Sequence, residues 1–387
     1  MMKVLFDCTS VRAAEGTLRA RISGIGYYTY SLMKALQKGN FPDLELNFCR
    51  QPSMKQWLKH QQQLPDVLKQ FPSIQFLPFP VTVSDFLGKS AGYFTNNIGH
   101  FDIIHGTDHY VYPFKEGKKI MNIHDLTFLK YPQFCTNIVK QYTRRIKKCL
   151  PWTDLIITFA ESTKKDIIDY LGVKEEKIFI TSEASRYDFN YLKTINIDLI
   201  KSKTNYDFSQ KYLLFVSTIE PRKNIISLIK AFNICKEKYH LHHHLILIGN
   251  KGWQYEPIFA EIENSPFSDQ IHHLGYLTDA QLAIFYAHAD MFIYPSFYEG
   301  FGLPILEAMT LGTPVITSSV SSMPEVGGDA AIYVNPHDVD ALANRIYQLG
   351  LDPILRQSLI EKGKNRAKLY SWERVAQETL KAYSYLA

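Results

Sequence analysis

Four charged residues in the second half of the sequence have types and positions that suit a ligand carrying both hydroxyl groups and negative charge. Glu299 follows the apolar run Met291–Tyr294, and Glu307 comes after seven intervening residues. Arg222 and Lys223 follow an earlier apolar run and precede a predicted helix. Carboxylates accept hydrogen bonds from hydroxyl groups, whereas cations at a helix start attract anions such as phosphate. The sequence therefore predicts a binding site built from these two segments.

The loop that contains Glu299 has the composition of a backbone that lies against a ligand. Gly300 and Gly302 lack side chains, so the chain there can approach a bound molecule closely. Pro304 stands where the first helical position should fall, with Leu306 facing inward. The exposed amides of such a helix start attract negative or hydroxyl-rich groups. An ordinary helix start with two solvated glutamates has the same local pattern, so the spacing alone leaves both interpretations open.

The two cations belong to the segment Ser217–Asn224. It follows the predicted strand Tyr212–Val216, and Asn224 is a suitable N-cap for the helix beyond it. Arg222 and Lys223 therefore stand at a helix N-terminus, which already favours anions. A diphosphate bound there would gain about 1.5–3 kcal/mol from each charged hydrogen bond. A solvated loop with an ordinary helix cap is the alternative.

The composition is that of a globular protein with two domains. The chain has 387 residues, of which 46% are hydrophobic and 21% charged, so it can bury substantial cores. It contains no long apolar run of membrane-spanning length, and the start Met1–Asp7 has the pattern of a strand rather than of a signal peptide. The five cysteines are scattered without a Cys-x-x-Cys pair, which favours a reducing, cytoplasmic setting.

Positive charge is concentrated in the first half of the chain. Residues 1–199 have a net charge of +7 and the remainder −2, giving +5 in total. This distribution would suit an anionic partner, either nucleic acid or an anionic membrane surface. A basic helix predicted over residues 136–150 could supply a membrane-contacting face. Ordinary solvated lysines on an amphipathic helix are the more common arrangement.

Strands that alternate with helices predict an α/β fold. In the first half the predicted strands are Val4–Asp7, Asp102–His105, Lys119–His124, Leu155–Thr158 and Lys177–Ile180. In the second half they are Tyr212–Val216, Leu245–Ile248, Ile271–Leu274, Met291–Tyr294 and Val315–Thr317. Such alternation produces parallel, doubly wound sheets. We therefore expect two Rossmann-like domains that face each other across a cleft, where ligands prefer to bind.

The domain boundary is predicted near residue 200. Hydrophobic periodicity is lost over residues 190–210, where Lys, Asn, Asp and Ser become frequent. We expect one domain over residues 1–200, joined by the C-terminal helix 372–387, and a second over residues 205–370.

Two features of the first half suit a ligand at the carboxyl edge of its sheet. Gly24 and Gly26 lie between a predicted strand and a helix, an arrangement that presents backbone amides to phosphate, although a plain turn fits equally well. His105 and His124 end two predicted strands, where side chains point into a cleft.

Histidines in the second half do not predict a metal site. The tract His242–His244 abuts a strand start and is expected to form a surface turn. His272 and His273 receive the same interpretation. No Asp-x-Asp pair or His/Cys cluster favours a metal, and we expect none.

Two strings resemble the signature of retaining glycosyltransferases of family 4, which have the GT-B fold. From Glu299 to Val315 the sequence is Glu-Gly-Phe-Gly-Leu-Pro-x-x-Glu-Ala-Met-x-x-Gly-x-Pro-Val. From Glu220 to Asn224 it is Glu-Pro-Arg-Lys-Asn. The two strings occur in the order found in that family. The resemblance extends from Gly24 to Trp372, with looser matches in the first half.

The resemblance implies roles for the charged residues of the second domain, which would bind a nucleotide-sugar. Arg222 and Lys223 would bind its diphosphate and act in catalysis. Glu307 would accept hydrogen bonds from the ribose, and Glu299 would hold a hydroxyl of the transferred sugar. The other implied donor-binding residues of this domain are Tyr276 and Leu277 beside the base, and Gly300, Phe301, Gly302 and Leu303 in the loop.

In the first domain, which would face the acceptor, the resemblance is to a glycine loop and a histidine block. Gly24 and Gly26 would lie near the phosphates. His124 would lie near the reacting sugar as a catalytic residue, supported by Asp125. Two departures concern the interdomain hinge: Ala160 stands where serine is frequent, and Ser182–Arg186 replaces a glycine-containing loop.

The implied function is transfer of a hexose from a nucleotide-diphosphate sugar to a saccharide or lipid-linked saccharide in cell-surface polysaccharide synthesis. Mannose from GDP-mannose is the expected donor, with no metal and no cofactor. We expect a cytoplasmic protein with peripheral contact at the inner membrane face, and no nucleic acid partner.

Other functions stay open at this stage. The donor could be a UDP-linked glucose or N-acetylhexosamine. A nucleotide-sugar epimerase of the same fold would need acid/base carboxylates and no acceptor. A non-catalytic sugar-binding relative would not need the four charged residues that this chain retains.

Overall fold

The computed structural model describes residues 1–12, 24–39, 41–87, 98–204 and 206–386. The chain divides into two compact units. Unit 1 consists of Met1–Pro132, Asn137–Glu183 and Trp372–Ala387, and unit 2 consists of Gln133–Thr136 and Ala184–Ser371.

Unit 1 is built on a parallel sheet. Its strands are β1 (Met2–Asp7), β2 (Leu44–Arg50), β3 (Ile74–Phe76), β4 (Ile103–Gly106), β5 (Lys118–Asn122), β6 (Leu155–Thr158) and β7 (Ile178–Ile180). Its helices are α1 (Gly24–Lys38), α2 (Met54–Leu58), α3 (Val81–Leu87), α4 (Thr127–Lys130), α5 (Asn137–Cys149), α6 (Glu161–Leu171) and, from the end of the chain, α15 (Trp372–Leu386). The strand order in the described residues is β3-β2-β1-β4-β5-β6-β7. The order reverses between β1 and β4, which marks a topological switch point.

Unit 2 repeats this architecture. Its strands are β8 (Tyr212–Val216), β9 (His244–Ile248), β10 (Ile271–Gly275), β11 (Met291–Tyr294), β12 (Val315–Ser318) and β13 (Ala331–Val334). Its helices are α7 (Ile197–Ser202), α8 (Ile225–Tyr239), α9 (Glu256–Glu263), α10 (Asp279–His288), α11 (Leu303–Leu311), α12 (Met323–Gly327), α13 (Val339–Leu351) and α14 (Pro353–Ala367). The order β10-β9-β8-β11-β12-β13, again all parallel, places the switch point between β8 and β11.

The central strands are apolar along their whole length because helices cover both faces of the sheets. Every residue of β8, Tyr-Leu-Leu-Phe-Val, is buried, as is every residue of β11, Met-Phe-Ile-Tyr. Continuous apolar runs of this kind are typical of buried parallel strands. Both domains are thus Rossmann-like α/β units, as the alternation of elements predicted.

Unit 2 begins earlier in the chain than the predicted boundary. The irregular segment that follows Glu183 already belongs to unit 2. Within it, the Tyr187 hydroxyl donates a hydrogen bond to the Asp279 carbonyl oxygen at 3.0 Å. The short segment 133–136 also belongs to this unit, where the Phe134 ring stacks on Phe297 at 5.5 Å. Loss of periodicity at 190–210 therefore marks an irregular part of unit 2 rather than its first residues.

No helix in the described part of the chain combines the length and the apolar character that a bilayer span requires.

Candidate functional site

The loops that follow β8 and β11 meet at the switch point of unit 2 and bring three charged side chains together. Lys223 Nζ donates to Glu299 Oε1 at 2.7 Å, and Arg222 Nη1 donates to Glu299 Oε2 at 3.0 Å. Lys223 and Glu299 are 5% and 7% exposed, so this is a buried ion cluster. The sequence motifs predicted these residues as one site, and the fold places them in direct contact.

The ion cluster fixes the charge of its carboxylate. Burial raises the pKa of Glu299, but the positive charges of Arg222 and Lys223 and the hydrogen bond from Lys223 outweigh burial and lower this pKa from 4.5 to about 2. Burial and the charge of Arg222 oppose protonation of Lys223, but Glu299, Tyr294 and Glu220 together outweigh them and the pKa of Lys223 is raised. All three groups are therefore ionised at neutral pH.

Additional contacts orient both cations. Arg222 Nη2 lies 3.0 Å from Glu220 Oε1, and Arg222 Nη1 also donates to the Tyr298 carbonyl oxygen at 2.7 Å. Lys223 Nζ donates to the Tyr294 hydroxyl at 2.9 Å. Fixed cations of this kind can stabilise charge that develops on a bound anion without reorganising first.

The backbone of the Glu299 loop is fixed by two serines that sequence reasoning missed. Ser322 Oγ donates to the carbonyl oxygens of Glu299 and Phe301, at 2.9 and 2.7 Å. Ser321 Oγ accepts the Glu299 N–H at 3.2 Å. Gly302, the N-cap of α11, has a φ of 110°, a conformation that disfavours residues with a side chain. The loop thus reaches its helix in one defined shape.

Glu307 lies on α11 and has two partners that its motif did not indicate. Arg186 Nε donates to Glu307 Oε1 at 2.6 Å, and the Tyr286 hydroxyl donates to Oε2 at 3.1 Å. Arg186 Nη1 also contacts Asp279 Oδ1 at 3.1 Å. Glu307 is 2% exposed, so its charge is compensated inside unit 2. Arg186 belongs to the segment that departs from the family pattern.

The other residues of unit 2 that were predicted to bind the donor differ in their exposure to solvent. Tyr276 and Leu277 follow β10, and the Tyr276 side chain is 46% exposed. Gly300 and Leu303 are half-buried at the start of α11.

Asn224 does occupy the N-cap position of α8, but it adopts a left-handed conformation and makes no side-chain cap. Its amide instead donates to the carbonyl oxygen of Pro336 at 2.7 Å, which explains why the capping expectation was wrong.

In unit 1, His124 lies just beyond β5 and is held on both ring nitrogens. Nε2 donates to the Thr107 carbonyl oxygen at 2.8 Å, and Nδ1 lies 3.7 Å from Glu183 Oε1. Burial lowers the pKa of His124, but Glu183 together with the Thr107 hydrogen bond outweighs burial and raises it above 6.5. Asp125 Oδ1 accepts the Thr127 N–H at 2.9 Å and so shapes the turn before α4.

Gly24 and Gly26 open helix α1, after β1 in the chain. Gly24 is exposed, and a Cβ added to it would have no atom of the described residues within 4 Å.

The histidines of the second half pair with one another or with single partners. His243 is buried and its Nε2 contacts Asp290 Oδ2 at 2.6 Å, so the expectation that His242–His244 forms a surface turn is wrong for this residue. It is also wrong for His244, which begins strand β9, and for His272 and His273, which lie in β10. His244 and His272 share a hydrogen bond of 2.8 Å. Among the described residues, no group of three or more His, Cys, Asp or Glu is placed to hold a metal ion.

Comparisons with solved structures show the fold. Sucrose-phosphate synthase from Thermosynechococcus elongatus superimposes with a TM-score of 0.75 at 20% identity, over 100% of this chain and 99% of that one. Anabaena HepE, in complex with UDP and glucose, gives a TM-score of 0.72 at 17% identity, over 99% and 100% of the two chains. The fold is therefore that of the GT-B glycosyltransferases.

Sequence comparison narrows the class to a family. The profile of the family described as "Glycosyl transferases group 1" matches residues 196–366, which include the whole ion cluster. O-antigen chain mannosyltransferase B from Escherichia coli is 34% identical over 286 residues, covering 73% of this chain and 74% of that protein. The chain belongs to the group 1 glycosyltransferase family, and it is a glycosyltransferase with mannosyltransferase relatives.

Replacing Glu299 by Gln should destabilise the protein by about 3 kcal/mol at pH 7, because buried Lys223 would lose the carboxylate that pairs with it and Arg222 would keep only Glu220. The folded-state pKa of Glu299, about 2, lies below the ordinary 4.5, so its ionisation stabilises the fold above pH 4.5 and this contribution is lost as the pH falls through 2. The difference in thermal midpoint between wild type and variant should therefore narrow as the pH falls from 5 towards 2. Glu263→Gln, an exposed change on α9, is the matched control. A difference independent of pH would contradict the assigned charge.

Replacing Glu183 by Gln should lower the pKa of His124 from above 6.5 to below it, because burial then dominates. The raised pKa stabilises the fold fully below pH 6.5, and this contribution disappears as the pH rises through the folded-state value. Histidine ring signals in ¹H–¹⁵N spectra, followed against pH, measure the shift directly. An unchanged titration of His124 in the variant would show that Glu183 does not control its charge.

Proposed function

We propose that this enzyme transfers a mannosyl group from GDP-mannose to a saccharide or lipid-linked saccharide acceptor in cell-surface polysaccharide synthesis, with retention of the anomeric configuration. The observation that carries the proposal is the buried cluster of Arg222, Lys223 and Glu299 at the switch point of unit 2. Its fixed cations suit a pyrophosphate. The mannosyltransferase from Escherichia coli, similar over most of its length, supports the sugar.

In this proposal the residues of unit 2 bind the donor from its phosphates to its base. Arg222 and Lys223 hold the diphosphate. Glu299 orients these cations and accepts a hydrogen bond from a hydroxyl of the sugar. Glu307 accepts hydrogen bonds from the ribose hydroxyls, using the lone pairs that its hydrogen bonds with Arg186 and Tyr286 do not occupy. The backbone of the Glu299 loop and the half-exposed segment after β10 complete the contacts, the latter beside the base.

Four residues of unit 1 also belong to the proposed donor site. Gly24 and Gly26 present the start of α1 to the phosphates. His124 lies beside the reacting sugar, where its raised pKa lets it donate a hydrogen bond or carry positive charge. Asp125 fixes the turn that follows it.

The chemical step breaks the bond between the anomeric carbon and the diphosphate oxygen, and the electron pair stays on that oxygen. The acceptor hydroxyl forms the new bond on the face from which the diphosphate departs, and its proton passes to the departing diphosphate. Arg222 and Lys223 meet the negative charge as it develops on the leaving oxygen. An inverted product would contradict this route.

These two cations supply the positive charge that a divalent metal provides in other phosphate sites, so we propose that turnover needs no metal and no cofactor. Activity should persist in excess EDTA. Loss of turnover in EDTA, restored by Mg²⁺ or Mn²⁺, would contradict the proposal.

We further propose a cytoplasmic reaction at the inner membrane face, with the basic residues of unit 1 drawn to anionic lipid. The protein should sediment with anionic vesicles at low salt, and this binding should be lost at high salt because salt screens the charges. Equal sedimentation with neutral vesicles would contradict it.

Nucleotide binding tests the donor assignment. GDP at one hundred times its dissociation constant should stabilise the protein by about 2.7 kcal/mol in a thermal-shift assay, and UDP at the same concentration should stabilise it less. Lys223→Gln should lower kcat/KM for the donor about 100-fold, because a buried charged hydrogen bond to the diphosphate is lost. Lys230→Gln, an exposed change on α8, is the control and should leave both quantities unchanged.

The outcomes separate the proposed function from its alternatives. A stronger response to UDP would favour a UDP-sugar donor, in keeping with the UDP and glucose complex of Anabaena HepE. An epimer formed from donor alone would indicate an epimerase. Unchanged turnover in Lys223→Gln would show that the ion cluster does not hold the diphosphate.

A further inference from the structure

The turn after β4 presents one carboxylate from an otherwise buried segment. In the described stretch 103–114, every residue is buried except Asp108, which is half-buried. This turn lies at the carboxyl end of β4, at the point where the strand order of unit 1 reverses between β1 and β4. Ligands of doubly wound sheets bind at such points. Asp108 lies outside the motifs that the sequence analysis identified.

The turn is anchored on both sides of Asp108. Thr107 Oγ1 donates to the Asp7 carbonyl oxygen at 2.9 Å, and the Thr107 carbonyl accepts from His124 at 2.8 Å. The His109 N–H donates to the Asn122 carbonyl oxygen at 3.0 Å. Asp108 therefore projects from a rigid frame that connects β1, β4 and β5.

The frame carries backbone strain. His109 has a φ of 47°, the left-handed region that residues with a side chain seldom adopt. A Cβ on Gly106 would lie 1.9 Å from the Tyr110 carbonyl oxygen, so only glycine permits the chain to fold back this tightly. Strain of this kind persists where surrounding contacts enforce it, and it is concentrated at functional sites.

Two polar atoms in the turn lack a hydrogen-bond partner in the structure as described. They are Asp108 Oδ1 and His109 Nδ1, both inaccessible to solvent. Unpaired buried polar atoms cost free energy. Such a cost is tolerated where a bound molecule supplies the partner.

Aromatic and cationic side chains of α5 lie beside the turn. The His109 ring packs on Tyr142 at 5.2 Å and on His124 at 5.6 Å. The Arg145 guanidinium lies 5.0 Å from the centre of the Tyr142 ring. The negative charge of Asp108 raises the pKa of Tyr142.

We propose that Asp108, Tyr142 and Arg145 form the subsite that binds the acceptor, and that this acceptor ends in a neutral hexopyranoside. A carboxylate accepts hydrogen bonds from two sugar hydroxyls and a guanidinium donates to sugar oxygens. Tyr142, packed against Phe128, His109 and Arg145, holds the guanidinium in place. His109 links this subsite to His124, which the proposed function places beside the reacting sugar. The inference therefore rests on the proposed function and adds the residues that select the acceptor.

The test compares kinetic constants for donor and acceptor separately. With the nucleotide-sugar that the wild type binds, transfer to methyl α-mannoside, methyl α-glucoside and methyl N-acetyl-α-glucosaminide is followed by mass spectrometry. Asp108→Asn should raise the KM for the accepted saccharide tenfold or more, while the KM for the donor stays within twofold. Asp108→Glu should restore part of the loss. Asp169→Asn, an exposed change on α6 of the same unit, should alter neither constant.

A retained thermal shift with GDP or UDP shows that the Asp108→Asn protein is folded and binds nucleotide. The inference is overturned if the acceptor KM is unchanged in that variant, or if the wild type with bound donor transfers to none of the three saccharides. Failure of the wild type to bind any nucleotide-sugar would instead contradict the proposed function.

Discussion

A buried lysine and a half-buried arginine are held against carboxylates at the switch point of unit 2, and the neighbouring structure depends on keeping them paired. Charged groups are costly to remove from water, so Arg222 and Lys223 must find Glu299 or another anion in the folded protein. This requirement joins the loops after β8 and β11, since each loop supplies part of the cluster. The same cations, already fixed in position, are suited to meet a pyrophosphate. The stability of unit 2 and the proposed function therefore depend on the same contacts.

The topology of parallel sheets explains why this arrangement occurs where it does. Loops from adjacent strands diverge at the point where the strand order reverses, and they leave a place for side chains to converge on a ligand. In unit 2 this point lies between β8 and β11, and in unit 1 between β1 and β4. The ion cluster occupies the first and the strained turn at Asp108 the second. One architectural rule accounts for both sites, although only the first has a recognisable sequence motif.

The sequence predicted the fold class, and it assigned the residues of the ion cluster to one site, because these signals are local. Continuous apolar runs identified the central strands, and two short motifs in the right order identified Arg222, Lys223 and Glu299. Side-chain contacts between residues that are far apart in the sequence have no local motif that would predict them. Arg186 pairs with Glu307 across 121 positions. The strand β2 was missed because it mixes polar and apolar residues, Leu-Glu-Leu-Asn-Phe-Cys-Arg, and its first four are only half-buried.

A crystal structure with an intact nucleotide-diphosphate sugar tests the central claim most directly. The account predicts pyrophosphate oxygens at about 2.8 Å from side-chain nitrogens of Arg222 and Lys223. It would be contradicted by a donor bound elsewhere, with both cations still paired only to the carboxylates of Glu220 and Glu299.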